Sequence, residues 1–177
     1  MVTVDKFQEL ETNRLLLRRL EETDWEMIRY LRSDKEVNKF VKRQSAETKE
    51  KALAFIAKTN NDIKNGQLFQ WCISFKNRPA MIGNIVLWNF SKDRKTAEVG
   101  YDLSPEFQGM GIMDEAMKEV LHFGFNKLKL EMVEAFTSKQ NESSKKLLLR
   151  NHFKWNESRK DSDDEDNIIF ELDNSNR

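Results

Sequence analysis

The chain has 177 residues, 30 of them Lys or Arg and 30 Asp or Glu, so its formal charge is zero. That length suits one domain with one good core, and a single domain over residues 1–177 is the expectation. The neutral balance supplies no basic field for nucleic acid or an anionic membrane surface. One cysteine, Cys72, with only His122 and His152 beside it, makes neither a disulfide framework nor a zinc-type ligand set. Charges at Asp5, Lys6, Glu9, Glu11, Arg14, Arg18 and Arg19 break any apolar run long enough for a signal peptide or a membrane span. A reduced, cytoplasmic protein without a metal is therefore expected.

"NRLLLRRL" (Asn13 to Leu20) reads as a strand, and Thr23 can cap a following helix that carries Trp25, Ile28 and Leu31 inward. From Ser45 to Lys64 the spacing of Ala52, Leu53, Phe55, Ile56 and Ile63 predicts a second amphipathic helix, with Asn65-Gly66 as its stop. Three β-rich stretches follow, Leu68 to Phe75, Pro79 to Phe90 and Thr96 to Leu103, separated by polar turns. Their order predicts an antiparallel meander. Ile112, Met113, Ala116, Met117, Val120, Leu121 and Phe125 then recur at helical intervals, which predicts a helix ending near Asn126. Burial of each large side chain is worth about 1.5–3 kcal/mol, so this Met-rich face is core rather than a cofactor box. Leu130 to Ser138 reads as a strand, Asn141 to Asn151 as a short helix and Asn167 to Leu172 as a last strand. Strand, two helices, three strands, helix, strand, helix, strand describes a mixed α+β sheet and not a doubly wound one.

Only 6 Gly and 2 Pro occur, so the hinge "SPEFQGMG" between a strand and a helix is informative. A Walker A loop would end in Gly-Lys-Ser/Thr, and Ile112-Met113-Asp114 stands there instead. A dinucleotide fingerprint would place a third glycine where Asp114 stands, directly after a strand, yet Ser104 to Phe107 intervene. Two readings remain. Either the N–H groups from Gly109 to Met113 converge on a pyrophosphate with the helix dipole behind them, or the glycines make a tight turn before a core helix.

"SPEFQGMGIMDEAM", followed about thirty residues later by "NESSKKLLLRNHF", resembles the GNAT superfamily of N-acetyltransferases. Within it the chain resembles the Rim-type branch, which includes the ribosomal-protein-alanine N-acetyltransferases. Gln108 and Gly111 match the first and fourth positions of that family's Q/R-x-x-G-x-G/A loop, which binds the acetyl-CoA pyrophosphate. Met113 departs from the sixth. "TNRLLLR", from Thr12 to Arg18, matches the branch's T-x-R-L-x-L-R opening, and Asn141 and Ser144 match the Asn-x-x-Ser of its last helix. The resemblance implies a GNAT fold: a mixed, mostly antiparallel sheet of six to seven strands flanked by about four helices.

It also implies a site and a chemistry. Acetyl-CoA is the implied co-substrate, cradled by Gln108, Gly109, Met110, Gly111, Ile112 and Met113 together with Leu103, Asn141 and Ser144. The acceptor is a primary amine, on a protein N-terminus or a small molecule. An α-amino group of pKa about 8, or a lysine of about 10.4, is mostly charged at neutral pH, so a base helps. The resemblance places that carboxylate at Glu98, which could equally be a cross-strand charge. It gives a backbone N–H near Leu103 to the thioester carbonyl, a contact worth about 3 kcal/mol in a transition state. Many relatives carry a hydroxyl seven residues after the Asn, where Leu148 stands here. That departure implies modest turnover, and together with Met113 it leaves a non-catalytic or weakly active acetyl-CoA-binding module as the alternative. Ser143 and Ser144 are expected to cap the last helix, His152 to be structural with Asn151 left-handed, and Cys72 to be buried in the sheet. The acidic run Asp161 to Asp166 is expected in a solvated loop. Monomer and homodimer both remain open.

Overall fold

The computed structural model describes residues 7–176; Asp5 and Lys6 lie outside the described residues. Eight strands form one sheet: β1 (Leu10–Glu11), β2 (Leu15–Arg18), β3 (Phe69–Phe75), β4 (Arg78–Trp88), β5 (Thr96–Leu103), β6 (Met132–Ser138), β7 (Lys154–Trp155) and β8 (Asn167–Asp173). Their spatial order is β1-β2-β3-β4-β5-β6-β8-β7. Every neighbouring pair is antiparallel except β5 with β6. The helices are α1 (Trp25–Ser33), α2 (Lys49–Lys64), α3 (Ile112–Asn126) and α4 (Glu142–Arg150). The expected count of strands is exceeded because β1 and β7 have two residues each, too few for any alternation to show in sequence.

The sheet is covered on both faces. Every residue from Phe69 to Ser74 of β3 is buried, a continuous run of the kind a strand shows when helices lie on either side. On one face Phe69, Trp71 and Ile73 join the core built on α3, where Trp71 meets Phe123 edge-on at 5.3 Å between ring centroids. On the other face Cys72 packs with Ile28 and Leu31 of α1 and Ala52 and Ile56 of α2. Burial pushes the Cys72 thiol far up, so it is an inert core residue, as expected.

The turn from β2 to α1 is fixed by charge. Arg18 and Asp24 are both buried and make a two-pronged ion pair at 2.8 and 2.9 Å, and Asp24 also accepts from the Glu21 N–H. Thr23 is exposed and does not cap α1; Glu21 and Asp24 form a capping box around a single turn of 3-10 helix instead. A buried arginine required that carboxylate inside, and the capping followed from it. The seven apolar residues read as the inner face of α3 are all buried.

Candidate active site

β5 ends at Leu103, and a single turn of 3-10 helix, Pro105–Phe107, leads to Gln108. Gly109 and Gly111 both have left-handed backbones, with φ of 74° and 71°. Gly111 is the N-cap of α3, and no side chain caps that end. The first N–H groups of a helix have no carbonyl within it, so Ile112 and Met113 present theirs outward. Those of Gly109, Met110 and Gly111 donate to no backbone or side chain among the described residues. The result is a positively polarised cradle at the start of a 15-residue helix.

The loop is braced from the turn between β1 and β2. The Glu115 carboxylate accepts from the Thr12 hydroxyl and from the Arg14 N–H and Nε, and Arg14 Nη1 donates to the Met110 carbonyl at 3.0 Å. This is the physical content of the T-x-R opening. Met110 itself points its side chain into solvent. Two carboxylates in the first turn would repel an anion, but both are engaged elsewhere. Burial works to raise Asp114, yet Lys118 and Asn151 hold it below the usual carboxylate range, and Thr12 and Arg14 do the same for Glu115.

Beside the loop the sheet comes apart. β5 pairs with β6 only from Thr96/Met132 to Glu98/Glu134. Beyond Glu98, β5 keeps β4 as its partner and β6 keeps β8. Ser104 N–H donates back to Ile82 of β4, and polar groups alternate sides along a strand, so the N–H and C=O of Leu103 face the parting. Gln108 Nε2 donates to that Leu103 carbonyl at 3.2 Å, which leaves the N–H beside it. A cavity of about 560 Å³ runs from the glycine loop along this parting. Its lining includes Leu103, Gln108, Gly109, Gly111, Ile112, Met113, Asn141 and Ser144, so most of the expected cofactor residues meet in one place. At the opposite end it is walled by Glu36, Val37, Phe40 and Val41 from the loop after α1.

Glu98 does not line this cavity. It sits where β5 and β6 are still paired, between Trp88 and Glu134, and about 10 Å along the strand from Tyr101. Burial raises its carboxyl to about 7, against a 3.3 Å hydrogen bond from Asn89 that lowers it, while Glu134 and Asp161 add to the rise.

Asn141 caps α4 by accepting the Ser144 N–H at 3.1 Å. Ser143 and Ser144 therefore do not cap; Ser143 is exposed, and the Ser144 hydroxyl is 2.7 Å from the Tyr101 hydroxyl. Leu148 is wholly buried in the core beneath α4 and lines no part of the cavity. Leu147 lines the cavity, and Leu148, the next residue around the helix, turns into the core instead. The left-handed residue after α4 is His152, with φ of 68°, and not Asn151, whose side chain instead bonds Asp114 and the Leu147 carbonyl.

Sequence reasoning missed four contributors. Tyr101, Lys146 and Arg150 line the cavity, and Arg43 ties the loop after α1 to Asp102 of β5 at 2.6 Å. Tyr101 carried a signal, an aromatic residue inside the strand that leads to the glycine loop; the other three are surface-type charges with none. Part of the acidic run is bound rather than free: Asp164 pairs with Lys42 at 3.0 Å, which brings the loop before β8 against the loop after α1.

A split sheet beside an uncapped, glycine-led helix defines a class of acyl-transferring enzymes, and the comparisons with known proteins agree. The chain belongs to the acetyltransferase (GNAT) domain family, whose pattern spans residues 14–154, and it is an N-acetyltransferase. It is 30% identical over 147 residues to the uncharacterized N-acetyltransferase YoaA of Bacillus subtilis, 83% of each chain. It is 31% identical over 139 residues to the uncharacterized N-acetyltransferase p20 of Bacillus licheniformis, 78% of each chain. Among solved structures it superposes on RimL, a ribosomal L7/L12 alpha-N-protein acetyltransferase in complex with coenzyme A, with a TM-score of 0.80 at 17% identity over 94% of this chain and 98% of that one. The ribosomal-protein-S5-alanine acetyltransferase of Vibrio fischeri gives 0.78 at 22% identity over 94% and 97%. At such identities the likeness is one of fold, and it matches the mixed α+β architecture expected. Among the described residues no helix is long and apolar enough to cross a membrane, and no cluster of His, Cys, Asp and Glu could hold a metal.

Proposed function

We propose that this chain, acting as one domain, transfers acetyl from acetyl-CoA to a primary amine by direct attack on the thioester. The observation that carries the proposal is the parting of β5 from β6 beside the uncapped start of α3, joined by one cavity. The cavity can take an extended chain, and the loop can take a diphosphate. Acetyl-CoA supplies an activated acyl group; the residues bind and orient it.

The N–H groups of Gly109 to Met113 receive the diphosphate, a ready use of helix-start donors. Lys146 and Arg150 on α4 add positive charge along the same wall. The parting receives the thioester arm, as an added strand would be received, through the outward Leu103 N–H. That donor, already aimed and held by the sheet, stabilises charge developing on the acyl oxygen. Asn141 and Ser144 close the other side.

The acceptor enters past Glu36, Phe40 and Val41, the wall formed by the loop after α1. Glu98 stands too far along β5 to touch an amine at Leu103, so it accepts the proton through water. A carboxylate raised to about 7 is suited to this task at neutral pH. The acceptor is a peptide N-terminus or a small amine; the structural neighbours include an alpha-N-protein acetyltransferase and a ribosomal-protein-alanine acetyltransferase. The alternative of a non-catalytic module rests on Leu148 and Met113; Leu148 lies in the core and Met113 is buried at the start of α3, so acetyl turnover is what separates the two readings.

The test is release of free CoA thiol from acetyl-CoA across peptide N-termini, polyamines and aminoglycosides. One acceptor class turned over well above hydrolysis supports the proposal. Saturable CoA binding with no acceptor among these classes would reject the acceptor assignment.

A further inference from the structure

We infer that Tyr101 donates a hydrogen bond to the departing sulfur, with its hydroxyl oriented by Ser144, and so fills the role for which Leu148 offers no group. The inference rests on the acetyl-transfer reading of the site. It begins with the hydroxyls at the cavity: Tyr101, Ser143 and Ser144. Ser143 is exposed, and no hydrogen bond of its side chain is found among the described residues, whereas the other two meet at 2.7 Å across the gap between β5 and α4.

Donor arithmetic gives the pair a surplus. Each hydroxyl carries one O–H, and their mutual bond consumes one of the two. Among the described residues neither oxygen has a further partner, so one O–H remains on the cavity side. When Ser144 donates to the Tyr101 oxygen, the tyrosine O–H is the one left over. The Ser144 backbone is itself fixed by Asn141, so the orienting group is anchored. This gives the Asn-x-x-Ser spacing a reason beyond helix capping: it holds a hydroxyl against the strand that binds the thioester.

Position supports the same assignment. Tyr101 lies two residues before Leu103 on β5, so both side chains project from the same sheet face and both N–H groups turn toward the parting. A thioester whose carbonyl accepts from a β5 N–H here has its C–S bond within reach of a side chain from this stretch.

The step balances as follows. The amine nitrogen bonds the acyl carbon, the C–S bond breaks with its electron pair going to sulfur, and the amine proton leaves through water toward Glu98. The sulfur departs as a thiolate that accepts the Tyr101 hydrogen bond, and it takes its proton from solvent on release. Burial raises the Tyr101 hydroxyl to about 12. A free thiol titrates near 8.5, so the tyrosine keeps its proton and acts as a donor rather than a full acid.

The test has a readout that needs no acceptor: the pKa of the thiol of bound CoA, followed by thiolate ultraviolet absorbance. The wild-type complex should titrate below free CoA, because a donor favours the charged form, and Tyr101→Phe should return it toward the free value. With acetyl-CoA and an accepted amine, Tyr101→Phe should lower kcat about 10²-fold with little change in KM for acetyl-CoA. Ser144→Ala should move both readouts in the same direction by less. A folded Tyr101→Phe with wild-type kcat and an unmoved thiol titration overturns the assignment. If Tyr101→Phe does not fold, Ser144→Ala decides on the same two readouts. A wild-type complex whose thiol titrates like free CoA overturns it without any variant. Absence of CoA binding would instead strike the acetyl-transfer reading itself.

Discussion

Three helix starts in this molecule answer the same problem in two opposite ways. α2 begins at Thr48, whose side chain accepts the Lys51 N–H at 3.2 Å, and α4 begins at Asn141, which does the same for Ser144. α3 begins at Gly111, left-handed and uncapped, on a loop whose N–H groups find no protein acceptor among the described residues. A cap is worth about 1 kcal/mol, so a start without one gives up stability where a capping residue would fit. What distinguishes α3 is its place at the head of the split sheet. On the proposed function, the N–H groups left unsatisfied there, rather than any side chain, are what would receive the diphosphate. Carboxylates show the same contrast: Asp24 is clamped by Arg18, while Glu98 has one long bond from Asn89 and is raised to about 7.

The largest effect expected is from Gly111→Val. A β-branched residue at φ of 71° is strained, so the loop must move and the convergent donors disperse. CoA-induced thermal stabilisation should vanish. The apo protein should still fold, because a Cβ at Gly111 meets nothing nearer than Arg14 Nη2 at 3.6 Å. Wild-type CoA affinity in this variant would show that the bare start is only a turn.

Glu98→Gln comes next and should lower turnover about 10²-fold near neutral pH, the usual worth of a positioned base. The rising limb of the wild-type pH–rate profile, centred near pH 7, should disappear with it. Stability should move the other way. A carboxyl raised from about 4.5 to about 7 by folding destabilises the native state as pH climbs through that window. The variant should therefore melt higher than wild type above pH 7, with the margin lost below pH 4.5. An unchanged rate profile returns Glu98 to a structural role.

Leu148→Tyr would supply a hydroxyl where the family resemblance implies one, but here it overfills a sealed core. It should lose about 1–3 kcal/mol by chemical denaturation and gain no turnover. A folded, faster enzyme would show that α4 can turn this residue into the cleft. Thr48→Ala, smallest of all, should lose about 1 kcal/mol with CoA affinity unchanged. A matching loss of affinity would mean that the capped and uncapped starts are not separable.

The long elements were legible because their patterns are long. β5 falls on the expected residues and α3 departs from expectation by no more than a residue, since alternation and helical spacing persist over many positions. β1 and β7 were not legible, having two residues each. The sharp turn before α3 was legible from Gly109 and Gly111, whose left-handed backbone is written into residue type. Tyr101 with Ser144 was not, because a contact between residues 43 apart depends on how α4 lies against β5. That Leu148 faces the core was not legible for the same reason: residue spacing along a helix gives its face, but not which face meets the cleft.

The central claim is that the free N–H groups at the start of α3 hold acetyl-CoA. The most direct measurement follows backbone amide resonances during an acetyl-CoA titration. Gly109 to Met113 should shift in a saturable way, while Lys51, at the capped start of α2, stays in place. Saturable binding that leaves Gly109 to Met113 unmoved would contradict the account.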